Sequence, residues 1–157
     1  MNTKSAKKLN LELSIAIRIG SPHSTLELVK QTIESFQECL PTTNYRFVLS
    51  TDPQIPRNIK DYIQQKSLEK PSLFLLLPEE RVYWSEFVNE AIRKSEDAEY
   101  FLIAHDDIQM LTPDFLSLVK KHLANLSIPV AGSPLMTLVI LTAIGQHLLD
   151  QDTLLTL

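Results

Sequence analysis

The sequence predicts an α/β fold with a mostly parallel sheet and helices on both faces. Three observations carry that expectation. Apolar runs of strand length alternate with stretches whose apolar residues recur every three or four positions, giving the order β-α-β-α-β-α-β-α. Some of the runs are free of charge throughout, as strands covered on both faces are. Finally, acidic residues follow two of the runs directly, at the strand ends where parallel sheets present ligand chemistry. The crossovers are expected to be right-handed.

The first strand is Leu11–Ile19, which alternates and is rich in isoleucine; Gly20-Ser21-Pro22-His23 breaks it. Ser24 has the look of a helix N-cap, with Glu27 three residues on completing a capping box. Leu26, Val29, Ile33, Phe36 and Leu40 then mark one helical face, and Pro41 stops it. Residues 45–50 (Tyr-Arg-Phe-Val-Leu-Ser) form the second strand, which ends in Thr51-Asp52-Pro53. A short helix started by proline spans 56–66, with Ile59, Tyr62 and Ile63 inward. The run 72–77, closed by Pro78, is the third strand.

Trp84, Phe87, Val88, Ala91 and Ile92 line a further helical face, which places Trp84 in the core. Tyr100-Phe101-Leu102-Ile103-Ala104 is the fourth strand and runs into His105-Asp106-Asp107. Thr112 is expected to cap the next helix, with Pro113 at its first position and Lys120, Lys121 and His122 in a dipole-matched last turn. Ile128-Pro129-Val130-Ala131 could begin a fifth strand.

The chain divides into a flexible start (1–10), an α/β domain (11–132) and an atypical apolar tail (133–157). Between 133 and 149 there is no Asp, Glu, Lys or Arg. Three readings of the tail stand open: a core element, a membrane-contacting segment, or an altered terminus foreign to the fold. The first and third are preferred, because the apolar run is short against the roughly 20 residues of a spanning helix.

Composition narrows the function classes. The chain has 157 residues, 44% hydrophobic and 22% charged, which suits one globular domain. A net charge of −4 argues against nucleic-acid binding through a basic surface. With glycine only at 20, 132 and 145, no glycine-rich phosphate loop can form. A single cysteine, Cys39, excludes an internal disulfide and fits a reducing compartment; it reads as a small buried hydrophobe. Residues 1–10 lack the pattern of a signal peptide, so a cytoplasmic location is expected, with the tail as a candidate contact to the inner face of a membrane.

Asp52 and the triplet His105-Asp106-Asp107 both follow strands and therefore share one rim of a parallel sheet. Carboxylates there suit a divalent metal or a phosphate ester; acids that merely shape the next turn are the plainer alternative. Tyr83 and Trp84 could stack on a base or sugar, and His23 stands where helix-start amides favour an anion. For His23 a plain loop position is the simpler expectation, and for Asn89 an exposed helix position.

Over about 13–131 the chain resembles the nucleotide-sugar-binding half of the family 2 glycosyltransferases, whose fold is the Rossmann-like GT-A fold. Ser14-Ile15-Ala16-Ile17 is similar to the family's opening strand, and Thr32-Ile33-Glu34-Ser35-Phe36 to the helix after it. Val48-Leu49-Ser50-Thr51-Asp52 is similar to the second strand, and Asn89-Glu90-Ala91-Ile92 to the Asn-x-Gly-Ile stretch. His105-Asp106-Asp107 resembles the acidic metal motif, and Thr112-Pro113-Asp114-Phe115-Leu116 the helix that follows.

The resemblance implies that Asp107 is a metal ligand for Mn²⁺ or Mg²⁺ and that Asp52 contacts the nucleobase. It implies that Asp106 supports the site or approaches the ribose, and that His105 ligates Mn²⁺ or bonds a ribose hydroxyl. The donor would be a nucleotide-diphosphate sugar and the acceptor a sugar, lipid or protein. The sequence departs from the family pattern in three places. Arg18-Ile19-Gly20-Ser21 stands where the first loop contacts nucleotide, His105 where the first acid of an Asp-x-Asp would be, and Val88 where an arginine is frequent. No general base is evident; Asp150 and Asp152 are the only acids after Asp114. The expectation is an incomplete transferase, and the alternative a non-catalytic nucleotide-sugar-binding or interaction module.

Overall fold

The computed structural model describes residues 11–20, 22–78, 83–125 and 137–140. Five strands form one parallel sheet: β1 (Leu11–Ile19), β2 (Tyr45–Thr51), β3 (Phe74–Leu76), β4 (Ala98–His105) and β5 (Thr137–Ile140). Their order is β3-β2-β1-β4-β5, so β1 is central and the chain reverses direction across the β1/β4 boundary. Four helices connect them: α1 (Leu26–Cys39), α2 (Arg57–Glu69), α3 (Trp84–Arg93) and α4 (Phe115–Asn125). The expected α/β architecture with a Rossmann-like sheet is therefore present.

The two faces follow from the period-two alternation of strand side chains. Leu13, Ile15, Ile17 and Ile19 of β1 join Phe47, Leu49, Leu102 and Ala104 in a core closed by α1, α2 and α4. Ala16, Val48, Phe101 and Ile103 point the other way and meet Phe87 and Ala91 of α3. Phe47 centres the larger core, stacked on Phe74 at 5.2 Å and edge-on to Phe36 at 6.2 Å. Such ring pairs add about 0.5–1.5 kcal/mol each beyond the area they bury.

Several local expectations are corrected. Thr25, not Ser24, caps α1, its hydroxyl accepting from the Leu28 amide at 3.2 Å. Ser24 is committed elsewhere: its hydroxyl donates to the Asp106 carboxylate. The fourth helix starts at Phe115 rather than at Pro113, because Asp114 adopts a left-handed backbone (φ 54°) that helical residues cannot share. The Asp114 amide donates to the Cys39 carbonyl, and its own carbonyl accepts from Ser117 and Leu118. Lys120 is not in a last turn; it bonds Glu12 at 3.0 Å and lies over the Tyr100 ring.

The proposed strand start at 128–131 lies outside the described residues, as does most of the tail. Within the tail, Thr137–Ile140 pairs in parallel with β4 as β5. The described part of the return from β4 to β5 runs on the α1 side: Ile108, Met110, Leu116 and Val119 all join the α1 core. Since β5 lies on the opposite side of β4 from β1 and β2, α4 stands on the face opposite to the one that a right-handed crossover to β5 uses, against the expected uniform handedness. Among the described residues, no helix is long and apolar enough to cross a membrane.

Candidate functional site at the carboxyl rim

The order β3-β2-β1-β4-β5 reverses between β1 and β4, so the candidate site is the rim beyond the carboxyl ends of these two strands, whose following connections both pass to the α1 side. Three segments form its edges: Gly20 after β1, Asp52 after β2, and His105-Asp106-Asp107 closing β4. The anticipated sharing of one rim by Asp52 and the acidic triplet is what the sheet produces. β1 stands between them, so their backbones are roughly 10 Å apart, two strand spacings.

The three members of the triplet have different environments. Asp106 is buried, with 4% exposure. Its carboxylate takes the Ser24 hydroxyl and a bond from the Gly20 backbone. Burial pushes its pKa above the ordinary value of 3.8, although those hydrogen bonds oppose the shift. Asp106 thus ties the β1–α1 loop to the end of β4 and is turned away from solvent. Asp107 and His105 are exposed. His105 lies in the outward row of β4 with Phe101 and Ile103, on the α3 side, and its ring stacks on Trp84 at 5.5 Å with 10° between planes. Trp84 is 42% exposed, which corrects its expected place in the core. Phe87 and Ala91, one turn on, take the buried positions.

On the other flank, Asp52 is held by its own turn. Its carboxylate accepts from the Gln54 amide at 2.9 Å, its amide donates to the Ile19 carbonyl at 2.8 Å, and its carbonyl accepts from Ile55. Gly20 is packed so closely here that a Cβ would come within 2.8 Å of the Asp52 Cβ. Only glycine therefore allows the β1 end to pass beside the β2 end.

Between the flanks stands Arg18, which the sequence reading left unassigned. Its Cα is in register with Ser50 on one side and His105 on the other. Its nearest acidic oxygen is the Asp52 Oδ2 at 3.9 Å. The rim on the α3 side therefore reads Asp52, Arg18, His105, Trp84. A charged residue one place from the end of the first strand was the available signal.

The loop carrying Asp107 is fastened to α1. The Thr32 hydroxyl lies 3.0 Å from the Asp106 carbonyl and 2.7 Å from the Ile108 carbonyl. The Met110 amide donates to the Ser35 hydroxyl at 2.9 Å, and the buried Cys39 thiol donates to the Met110 carbonyl at 3.4 Å. Burial also raises the Cys39 pKa, as expected of a packed and unreactive thiol. His23 and Asn89 are both exposed. Asp150 and Asp152 lie outside the described residues.

Among the described residues, no three His, Cys, Asp or Glu side chains cluster as a metal-binding group. Asp107 and His105 are the two accessible donors, because the Asp106 carboxylate is already bonded. That set suits a cation arriving with phosphate oxygens of a ligand, which needs one or two protein carboxylates, rather than one caged by protein alone. No model of a known protein family matches the chain, and no curated protein does.

Proposed function

We propose that this protein binds a nucleotide-diphosphate sugar at the carboxyl rim and acts as a glycosyltransferase-type domain of the GT-A kind. The single observation that carries this reading is the placement of Asp52 and Asp107 on opposite sides of the β1 end at the switch point of the sheet. A ligand spanning that gap would set its base near Asp52 and its phosphates near Asp107. Asp52, fixed by its turn, is oriented to accept from a base N–H. Asp106 positions the loop without touching ligand, and the fastened segment after it keeps Asp107 in place.

Asp107, with His105 beside it, would hold Mn²⁺ or Mg²⁺. Such a cation supplies Lewis acidity toward the departing diphosphate. The acceptor is a sugar, lipid or protein hydroxyl whose proton a general base must take. A second reading, a nucleotide-sugar-binding module without turnover, is favoured by one observation. Asp106, the triplet acid nearest β4, is consumed by Ser24 and backbone and is unable to act as that base.

Calorimetric titration of UDP, GDP and dTDP tests the reading. One nucleotide is expected to bind more tightly with Mn²⁺ than in EDTA, and Asp107→Ala to erase the difference. Equal affinity in the two conditions, or an unaltered difference in the variant, would remove the metal role. Transfer or hydrolysis of the matching donor sugar then separates the transferase from the binding module.

A further inference from the structure

We infer that Arg18 is a phosphate-binding residue of the carboxyl rim, able to hold a diphosphate without a divalent cation. The identity of the whole ligand rests on the nucleotide reading above, whereas the phosphate chemistry rests on Arg18 itself. Its side chain is 24% exposed, and the Asp52 oxygen at 3.9 Å is beyond hydrogen-bond reach. Among the described residues, its guanidinium makes no hydrogen bond.

Arg46, on the neighbouring strand, is the internal comparison. At 19% exposure it bonds both Asp97 oxygens, at 2.7 and 3.3 Å, and the Lys94 carbonyl at 2.7 Å. Arg46 is thus a structural tie between β2 and the turn before β4, with its Nε alone lacking a partner among the described residues. Arg18 is covered to a similar degree, and among the described residues it makes only the long pair with Asp52. Asp52 pairs with it only through Oδ2 at 3.9 Å, while its Oδ1 takes the Gln54 amide.

A guanidinium presents five N–H donors in a planar fork that matches two phosphate oxygens at once. Arg18 holds that fork at the centre of the rim, one residue before the end of the central strand. To one side is the His105 ring, held flat against Trp84. A phosphate seated on Arg18 would therefore lie beside an aromatic shelf and between the two carboxylate flanks. This changes the electrostatic picture of the site: its counter-charge includes a fixed cation from the protein.

The test titrates inorganic pyrophosphate and UDP into the full chain in EDTA, by calorimetry and by fluorescence of Trp84, the only tryptophan. Both are expected to bind. Arg18→Gln should weaken both by roughly tenfold or more, and Arg18→Lys, which keeps charge and loses the fork, should fall between. Urea midpoints show which variants are folded, and Arg18→Lys carries the test if Arg18→Gln is not. The inference is overturned if the wild type binds neither ligand in EDTA, or if folded variants bind like wild type. Nucleotide binding that needs Mn²⁺ and Asp107 while ignoring Arg18 would sink the inference and spare the nucleotide reading. Arg18-dependent pyrophosphate binding, with no nucleoside diphosphate binding more tightly, would do the reverse.

Discussion

Asp106 shows how one carboxylate can be fixed by a fold instead of offered to a ligand. Its folded pKa is raised, chiefly by burial, so the folded protein binds a proton more readily than the unfolded chain does. The associated stability is fully present below the ordinary value of 3.8 and is lost as pH rises through the raised value. Asp106→Asn keeps an acceptor for Ser24 and has no charge to desolvate. Urea midpoints measured from pH 4 to 7 should therefore decline less steeply for Asp106→Asn than for wild type. Parallel profiles would show that the carboxylate is no harder to ionise in the fold than out of it. Glu12 acts in the opposite sense and cancels in this comparison: the Asn44 amide and Lys120 hold its pKa below the ordinary range.

The element that matters most to the site is the extended segment 106–114, which runs down α1 on hydroxyl and thiol contacts. Thr32, Ser35 and Cys39 recur at three and four residues, and each meets this segment. A helical face normally read as partly polar is here a row of anchors. Ser35→Ala removes the acceptor of the Met110 amide, which is otherwise buried. Hydrogen exchange at Met110 should accelerate, and stability should fall by about 1–3 kcal/mol for the unsatisfied donor. Unchanged exchange at Met110 would mean that the segment is held by its apolar side chains, Ile108 and Met110, alone.

Much of this element level is legible in the sequence. Apolar runs located β1, β2 and β4 to within two residues at either end, because strands buried on both faces have few ways to be anything else. The start of α1 was misplaced by one residue, since Ser24 and Thr25 are equally good caps and only the distant Asp106 decides between them. Trp84 was misassigned for a similar reason. Helical periodicity puts it on the apolar face, but the first turn of α3 reaches past the core to the rim, where His105 supplies the partner.

At the scale of the molecule, shared placement on the rim was readable from strand order along the chain, whereas the row Asp52-Arg18-His105 was not. That row depends on register between strands remote in sequence, Ile19 with Thr51 and Arg18 with His105. Local composition holds no record of such pairings. The hand of the β4–α4–β5 unit was also out of reach, because the amphipathic pattern of α4 says that one side is covered and not by which face of the sheet.

The central position of β1 also sets a schedule for the chain. The β1–β2 pairing closes over a short span, but β1 must wait for a strand that begins at Ala98 before its other edge is filled. Long-range pairings of this kind form late, because the chain entropy of closure precedes any reward. The candidate site lies beyond the carboxyl ends of these two strands, so it exists only after the slowest pairing is made. Trp84 is stacked on the last residue of β4 and should report the moment. In stopped-flow refolding, the tryptophan signal is expected to arrive with the slowest phase, after most far-ultraviolet ellipticity has returned. A tryptophan signal that leads the ellipticity would mean that α3 and β4 dock before β1 is enclosed. On the expected schedule, a partly folded chain offers no ligand site at all, and occupancy of the rim certifies a finished sheet.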